Sequence, residues 1–584
     1  MKVNNKNNLA YKKLIFFAPI VALVVILFIS LNKNELDYLQ FYLLESDSFY
    51  YFTVASEKPF SFDNVYLSSG YHPLWQIILA FFNLVNVGKH TSVSIALLFN
   101  LFLLLLSLFI FYKMFYEKIL GNSLAVFLIV PGAQFLFLLP TNQQNYLHFF
   151  SFLNGMESSL TIIFFTLLIY LLRKENIKKS YLAILLLLIV LNRLDNIFLL
   201  FSYSLFKIYK TKKILHKEIV FASIGVSVYL ILNKYIFGTY LPISLLNNLS
   251  FNFMENYAVI FNTFISNTEY SFNAFNTSIF EHPLFWRIIQ AYFPFLFSIY
   301  FYFILKKFNI SKSFYTELLL FFVILKSGYY IFASSSIYAQ TQGQWHFPAS
   351  FIILSYLLVE YSSDLKKIFY VQLIVKTMFV TLSVNWLFLL IYKVSDNYSK
   401  SVDLLEIIYI PVIISLILFF VVTITSLFYS SIFRFRQNMI LFIVYFIGFN
   451  FIHISHFINS DHNVENYEFF KQRHEINYSL KNIDNYNQKL LSLDYGIVNF
   501  YLESEIMNGF IVDSSAFTSS KTESIYDIAY NRGYRYFGSL NYLSDFDLID
   551  GSHFMDDKSF NKYNIKIVYE SDNNNFLLFE FTEK

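Results

Sequence analysis

Residues 173–213 read RKENIKKSYLAILLLLIVLNRLDNIFLLFSYSLFKIYKTKK, and the way this stretch is parsed sets the architecture. Basic clusters close both ends: Arg173, Lys174, Lys178 and Lys179 at one, Lys207, Lys210, Lys212 and Lys213 at the other. One continuous apolar helix would carry one cluster to the outer side of a bilayer, against the tendency of Lys and Arg to stay cytoplasmic. Two short helices, 180–192 and 195–209, meeting at Asn192-Arg193-Leu194-Asp195-Asn196, keep both clusters inside. Each is short for a span of about 20 residues, so the turn falls within hydrocarbon depth, where its backbone needs protein partners. An Arg and an Asp two residues apart are costly there unless shielded. They read either as a buried ion pair holding the hairpin or as one wall of a phosphate or sugar site.

The same pattern extends along the chain. Of its 584 residues 56% are hydrophobic and only 14% charged, where a soluble domain carries nearer 25% charge. Thirteen membrane segments are expected, near 14–30, 92–113, 119–139, 157–172, 180–192, 195–209, 218–236, 289–305, 315–335, 348–362, 369–392, 404–430 and 438–456. The first follows Lys2, Lys6, Lys12 and Lys13 like a signal peptide, but it runs long and no small-residue cleavage site closes it, so it reads as a retained anchor. Further clusters at Lys113 with Lys118, Lys306-Lys307 with Lys312, Lys366-Lys367 and Arg434 with Arg436 all then fall on the cytoplasmic side. The expected fold class is an α-helical polytopic cell-membrane protein of about 13 spans, with a cytoplasmic N-terminus. The net charge of +3 is dispersed in these clusters and gives no reason to expect a nucleic-acid partner. Cysteine is absent, which excludes disulfides and thiolate chemistry.

Residues 1–456 thus form the membrane domain, with two long outward loops at 31–91 and 237–288. The first loop holds a short apolar stretch, Pro73 to Val85, that reads as an interfacial or re-entrant helix. Residues 457–584 are polar and read as a small extracytoplasmic α/β domain. Strands are expected at Leu491–Leu493, Gly509–Val512, Ile565–Tyr569 and Phe576–Phe581, the last two as a hairpin, and helices at Gly496–Glu505 and Glu523–Arg532.

Candidate chemistry concentrates in the first loop. Glu45 and Asp47 could act as a general base, activate a hydroxyl or hold a divalent cation, Asp47 being the possible metal ligand. They share a face only if the segment is extended, because on a helix they diverge by about 200°. The alternative is a solvated acidic pair, with Ser46 and Ser48 as helix caps. His72, before Pro73 at the mouth of the apolar stretch, reads as a site residue or as a satisfied interfacial histidine. Gln143, Gln144 and His148 sit in the outward loop after the third segment. Glu157 follows, either facing a donor or simply occupying a helix first turn. Gln344, Trp345 and His346 in another outward loop could stack on and hydrogen-bond to a sugar, or anchor the interface.

The line from Glu45 to Trp75 resembles the first outer loop of the GT-C superfamily, in its bacterial dolichyl-phosphate-mannose-protein-mannosyltransferase-like branch. The resemblance lies in an acidic pair before Ser48-Phe49-Tyr50-Tyr51, then Gly70-Tyr71-His72-Pro73-Leu74-Trp75. Asn154-Gly155-Met156-Glu157, Asn192-Arg193-Leu194-Asp195, Phe237-Gly238-Thr239 with Leu241-Pro242-Ile243-Ser244, Asp494-Tyr495-Gly496 and Val512-Asp513 follow in the family's order. The resemblance implies a membrane glycosyltransferase with a polyprenyl-phosphate-linked sugar donor and an extracytoplasmic glycan, lipid or protein acceptor, working among membrane lipids. It implies a base or metal-placing role for the first-loop acids. Asp47 matches the second acid of the family pair, Ser46 stands where the first would be, and Glu45 lies one residue away. Tyr50, Tyr51, Tyr71, His72, Trp75, His148, Glu157, Arg193, Asp195, Gln344 and His346 are the donor- and acceptor-binding candidates. The other readings are a lipid-linked saccharide transporter or flippase, for which internal repeats would be expected, and a non-catalytic envelope polysaccharide assembly protein, which the Ser46 departure favours.

Overall fold

The structure is a computed structural model that describes, in the main, residues 46–56, 72–84, 88–121, 153–174, 178–213, 215–243, 283–310, 313–332, 348–361, 461–483, 489–492, 496–508, 523–540, 562–571 and 576–584. The chain divides into two compact units. Nearly all described residues belong to the larger, which comprises 35–116, 131–357 and 461–584. The expected segments 14–30, 369–392, 404–430 and 438–456, and nearly all of 119–139, lie outside the described residues.

Among the described residues two short helices precede the longer ones, α1 (Ser46–Ala55) and α2 (Pro73–Asn83). Proline at the first position of α2 gives up no hydrogen bond there, and its fixed φ starts the helix at the point expected from sequence. Eight apolar helices follow: α3 (Lys89–Gly121), α4 (Ser158–Leu172), α5 (Lys179–Asn192), α6 (Ile197–Thr211), α7 (Lys217–Phe237), α8 (Pro283–Lys307), α9 (Phe314–Phe332) and α10 (Pro348–Glu360). Among the described residues two stretches, Lys89–Phe115 and Lys217–Phe237, are long and apolar enough to cross a membrane. The helix α7 shows Phe221, Ile224, Val228, Ile231 and Leu232 on its outside while burying Asn233 and Glu218. Apolar outside and polar inside is the arrangement hydrocarbon favours and water penalises.

The 173–213 stretch forms two helices that break at the expected place. The helix α5 ends at Asn192, a single 3-10 turn covers Leu194–Asn196, and α6 begins at Ile197. Its 14 residues give α5 a length of about 21 Å, short of the roughly 30 Å hydrocarbon core. The helix α4 packs on α5, α5 on α7, and both α6 and α8 on α9. Where α7 crosses α5, a Cβ on Gly225 would come within 2.6 Å of Leu187 Cδ2, so a larger residue there would require Leu187 to shift.

The C-terminal segment opens with α11 (Asp461–Lys481), which the polar sequence does not suggest. Strand β1 (Lys489–Ser492), α12 (Ile497–Tyr501), β2 (Glu505–Asn508), α13 (Ile525–Asn531), β3 (Tyr536–Leu540), β4 (Tyr563–Glu570) and β5 (Phe576–Glu583) complete it. They form one mixed sheet in the order β2-β1-β3-β5-β4, with β1 parallel to β2 and β3, and β5 antiparallel to β3 and β4. The β4–β5 hairpin matches the expected strands 565–569 and 576–581. The expected helix 496–505 is shorter: it ends at Tyr501, and Glu505 opens β2 because its register places it beside Lys489 of β1, 3.2 Å away. The expected strand Gly509–Val512 lies outside the described residues.

Successive side chains on a strand face opposite ways, and β1 shows the consequence. Leu491 faces a core shared with Met507, Tyr526, Phe537, Phe579 and Ile243. Leu490 faces a larger core that continues without a break into Phe49, Phe52, Trp75, Leu97 and Leu160 of the helical part. The sheet therefore shares its packing with α1, α2, α3 and α4.

Candidate functional site

A buried ionic cluster sits where the N-terminal ends of α2 and α4, the α5–α6 turn and the C-terminal half of α9 meet. Arg193, only 2% exposed, is its centre. Its Nη1 donates to Glu157 Oε1 at 2.5 Å, and its Nε and Nη2 donate to Asp195 Oδ1 and Oδ2 at 3.3 and 3.4 Å. Lys326 Nζ, fully buried, reaches Asp195 Oδ2 at 3.1 Å and donates to Asn196 Oδ1 at 2.7 Å. The Tyr330 hydroxyl donates to Asp195 and accepts from Arg193 Nη2 at 3.4 Å. His72 Nε2 closes the cluster 3.4 Å from Glu157 Oε1.

The chain places these groups by local geometry. Arg193 is the extended break between α5 and the 3-10 turn (φ −148°, ψ 119°). Asn196 donates back to the carbonyl of Ile189 at 3.2 Å, and Asn192 donates to Thr161 Oγ1 at 2.7 Å, which ties the hairpin to α4. Glu157 precedes α4, but its carboxylate caps no backbone amide and turns instead to Arg193 and His72. Its second oxygen, Oε2, is buried and finds no hydrogen-bond partner among the described residues. Two cations and two carboxylates balance, so a neutral His72 leaves the cluster with no net charge. Burial, together with Arg193 and Lys326, holds the His72 imidazole below its ordinary pKa against the pull of Glu157 and Asp195. It is therefore neutral at pH 7.

Around the cluster the scattered sequence strings touch one another. Gly155 (φ +74°) lies so close to α1 that a Cβ there would meet Leu44 Cδ2 at 2.6 Å and Ser48 Cβ at 3.1 Å. Trp75 Nε1 donates to the Gly155 carbonyl at 3.1 Å, and Asn100 Nδ2 to that of Met156 at 3.1 Å. Gly496 (φ +112°) brings the C-terminal segment onto α1, where a Cβ would be 3.0 Å from the Tyr50 amide nitrogen. The backbone N–H of Ile243 donates to Ser69 Oγ at 3.3 Å, and the Phe237 ring packs edge-on against Phe60.

The first-loop candidates divide accordingly. Tyr50 and Tyr51 are buried on α1, and the Tyr51 ring stacks on the His72 imidazole with centroids 6.1 Å apart. Trp75 is fully buried. Asp47 falls in the first turn of α1. Glu45, Tyr71, His148, Gln344 and His346 lie outside the described residues, as do Gln143, Gln144 and Trp345. The Arg193–Asp195 pair, Glu157 and His72, proposed from three separate parts of the sequence, come together. Lys326 and Tyr330 belong with them and are not among the sequence candidates; a lone lysine inside the apolar 314–332 segment was the available signal. Among the described residues no group of three His, Asp or Glu is arranged to hold a metal ion.

No family model matches the chain, and no curated protein sequence matches it. Among solved structures, the apo crystal structure of ArnT from Cupriavidus metallidurans aligns with 95% of this chain and 97% of its own, at 9% identity and a TM-score of 0.49. Such a score establishes neither a shared fold nor a shared activity.

Proposed function

We propose that this protein is a membrane glycosyltransferase that moves a sugar from a polyprenyl-phosphate-linked donor to an extracytoplasmic glycan, lipid or protein. One observation supports the reading above others. Strings that resemble the GT-C pattern, spread from Ser48 to Gly496, pack against one another around α1 and the Arg193 cluster. Unrelated short matches would have no reason to meet in space.

The chemistry such an enzyme needs is modest. Lipid phosphate is already a competent leaving group, so the protein has to hold the acceptor hydroxyl beside a proton acceptor, orient the donor and exclude water. Asp47 in the first turn of α1 is the carboxylate assigned to the acceptor, as base or as ligand of a divalent cation. The charge-balanced Arg193 cluster serves as the rigid wall that fixes α1, α2 and α4 relative to one another. By the positive-inside rule this wall and the C-terminal sheet face outward, and a reporter active only outside the cytoplasm, fused after Lys584, is expected to be active.

Proteoliposomes containing the protein and a radiolabelled polyprenyl-phosphate sugar test the proposal. The expected result is transfer to an acceptor with release of polyprenyl phosphate and no need for a nucleotide sugar. Transfer from a nucleotide sugar without the lipid donor refutes it. The Ser46 substitution favours one competing reading, a non-catalytic assembly protein, which predicts donor that is bound and never consumed.

A further inference from the structure

We propose that Glu157 and His72 form a carboxylate–imidazole dyad in which His72 Nδ1 accepts the proton of the incoming hydroxyl; this rests on the transferase reading above. The geometry carries it. His72 Nε2 is 3.4 Å from Glu157 Oε1, so the neutral ring keeps its proton on Nε2, facing the carboxylate. That leaves the Nδ1 lone pair available, and no hydrogen bond of the His72 side chain is found among the described residues, its contact with Glu157 being an approach of 3.4 Å. The imidazole is orientated from two sides, by Glu157 and by the stacked Tyr51 ring. Glu157 is itself fixed by Arg193, so the carboxylate that orients the base cannot swing away.

Position within the cluster singles out His72. Its side chain is 25% exposed, whereas Glu157, Arg193, Asp195 and Lys326 lie between 0 and 8%. It is the member a substrate can reach. It also stands at the N-terminus of α2, where the helix dipole disfavours an imidazolium in the resting state. The charged groups that act on it are Glu157 and Asp195, which favour its protonation, and Arg193 and Lys326, which oppose it; burial opposes it too. It rests neutral, as a base must.

In the step, the acceptor oxygen forms its bond to the sugar's anomeric carbon as the bond from that carbon to the phosphate oxygen breaks. The electron pair leaves with polyprenyl phosphate. The hydroxyl proton passes to Nδ1, and the imidazolium so formed is paired with Glu157 until it returns the proton to water. Asp47 then acts in placing the acceptor or an ion, and the two groups have separable signatures.

The test is the pH dependence of kcat for transfer from a polyprenyl-phosphate sugar, measured with the full chain in proteoliposomes and expressed per folded molecule. A histidine base gives an acid limb with a midpoint at or below about pH 6.5; a carboxylate base gives a limb nearer pH 4. The wild-type profile is expected to show the higher limb. H72Q should lower kcat by roughly 10²–10⁴-fold and abolish that limb, whereas D47N should lower kcat and keep it. Wild-type transfer whose acid limb lies near pH 4, as a carboxylate base gives, overturns the dyad even if no variant folds. So does H72Q activity within twofold of wild type. Failure of the wild type to transfer at any pH overturns the transferase reading itself, and the dyad's role with it.

Discussion

Replacing Arg193 by alanine isolates the energetic role of the ionic cluster. The side chain is 2% exposed and donates to Glu157, Asp195 and Tyr330. Without it Asp195 keeps Lys326 at 3.1 Å and the Tyr330 hydroxyl, but Glu157 keeps only a neutral histidine at 3.4 Å. The cluster goes from balanced to one surplus negative charge in a dry interior. Removing one partner of a buried pair costs about 3–5 kcal/mol, against a typical total stability of about 5–15 kcal/mol. That amounts to roughly two to three and a half orders of magnitude in the folding equilibrium. R193A should therefore extract in mild detergent with a much smaller monodisperse fraction and melt several degrees lower. The double variant R193M/E157Q removes one charge of each sign and leaves Asp195 paired with Lys326. It should recover about 1–3 kcal/mol relative to the sum of the single changes. An R193A protein that extracts and melts like wild type refutes the reasoning, as does a double variant no better than that sum.

Three further outcomes are expected. D47N should depress turnover per folded molecule by about 100-fold or more with folding intact, and E45Q by less; near-normal turnover in both would leave the first-loop acids with no role in the chemistry. G496A forces a Cβ to within 3.0 Å of the Tyr50 amide nitrogen at φ +112°, a strain of about 1–3 kcal/mol, and should raise hydrogen exchange in 46–55 and 497–501 together. Unchanged exchange there would show that the sheet does not depend on this contact. Asp527 tests charge in the C-terminal segment. Burial alone would raise its carboxyl, but hydrogen bonds from Lys562, Tyr563 and Ser524 outweigh it and hold the pKa at about 2. A pKa depressed on folding stabilises above the ordinary carboxylate value and loses that contribution as pH falls from about 4 to 2. The group is largely exposed, so solvent screening keeps the effect below about 1 kcal/mol. Exchange protection of 525–531, corrected for intrinsic rates, should be lower in D527N than in wild type at pH 6 and equal to it at pH 2. A deficit persisting at pH 2 would exclude a charge origin.

What the sequence reveals depends on whether the signal is local. The helix break at 192–196 is legible because basic clusters close both ends of an apolar stretch interrupted by Asn192-Arg193-Leu194-Asp195-Asn196, and α2 is legible because Pro73 marks its start. The β4–β5 hairpin shows in its two apolar runs. By contrast α11 is built largely from polar residues, and the few apolar ones, Phe469, Phe470, Ile476 and Leu480, make sense only against the core that receives them. The start of β2 at Glu505 is set by parallel pairing with β1, a non-local choice that helix propensity over 496–505 does not contain. Within the site, Arg193 and Asp195 advertise themselves by proximity. The approach of His72 to Glu157 across 85 positions, and of Lys326 to Asp195 across 131, is information that only the fold holds.

The packing of α1 and α2 against the sheet has a consequence for biogenesis. Lys89 Nζ donates to the carbonyl of Phe500, 411 positions further along the chain, and Phe49, Phe52 and Trp75 share their core with Phe500, Ile497 and Leu490. At roughly 5–20 residues per second, ribosomal synthesis takes about 20–80 s to cross that interval. For that time the aromatic faces of the first loop have been made and their partners have not. The nascent chain must either cover them temporarily or hold them at the lipid surface. A chain interrupted before residue 497 would leave those faces without the partners they have in the fold.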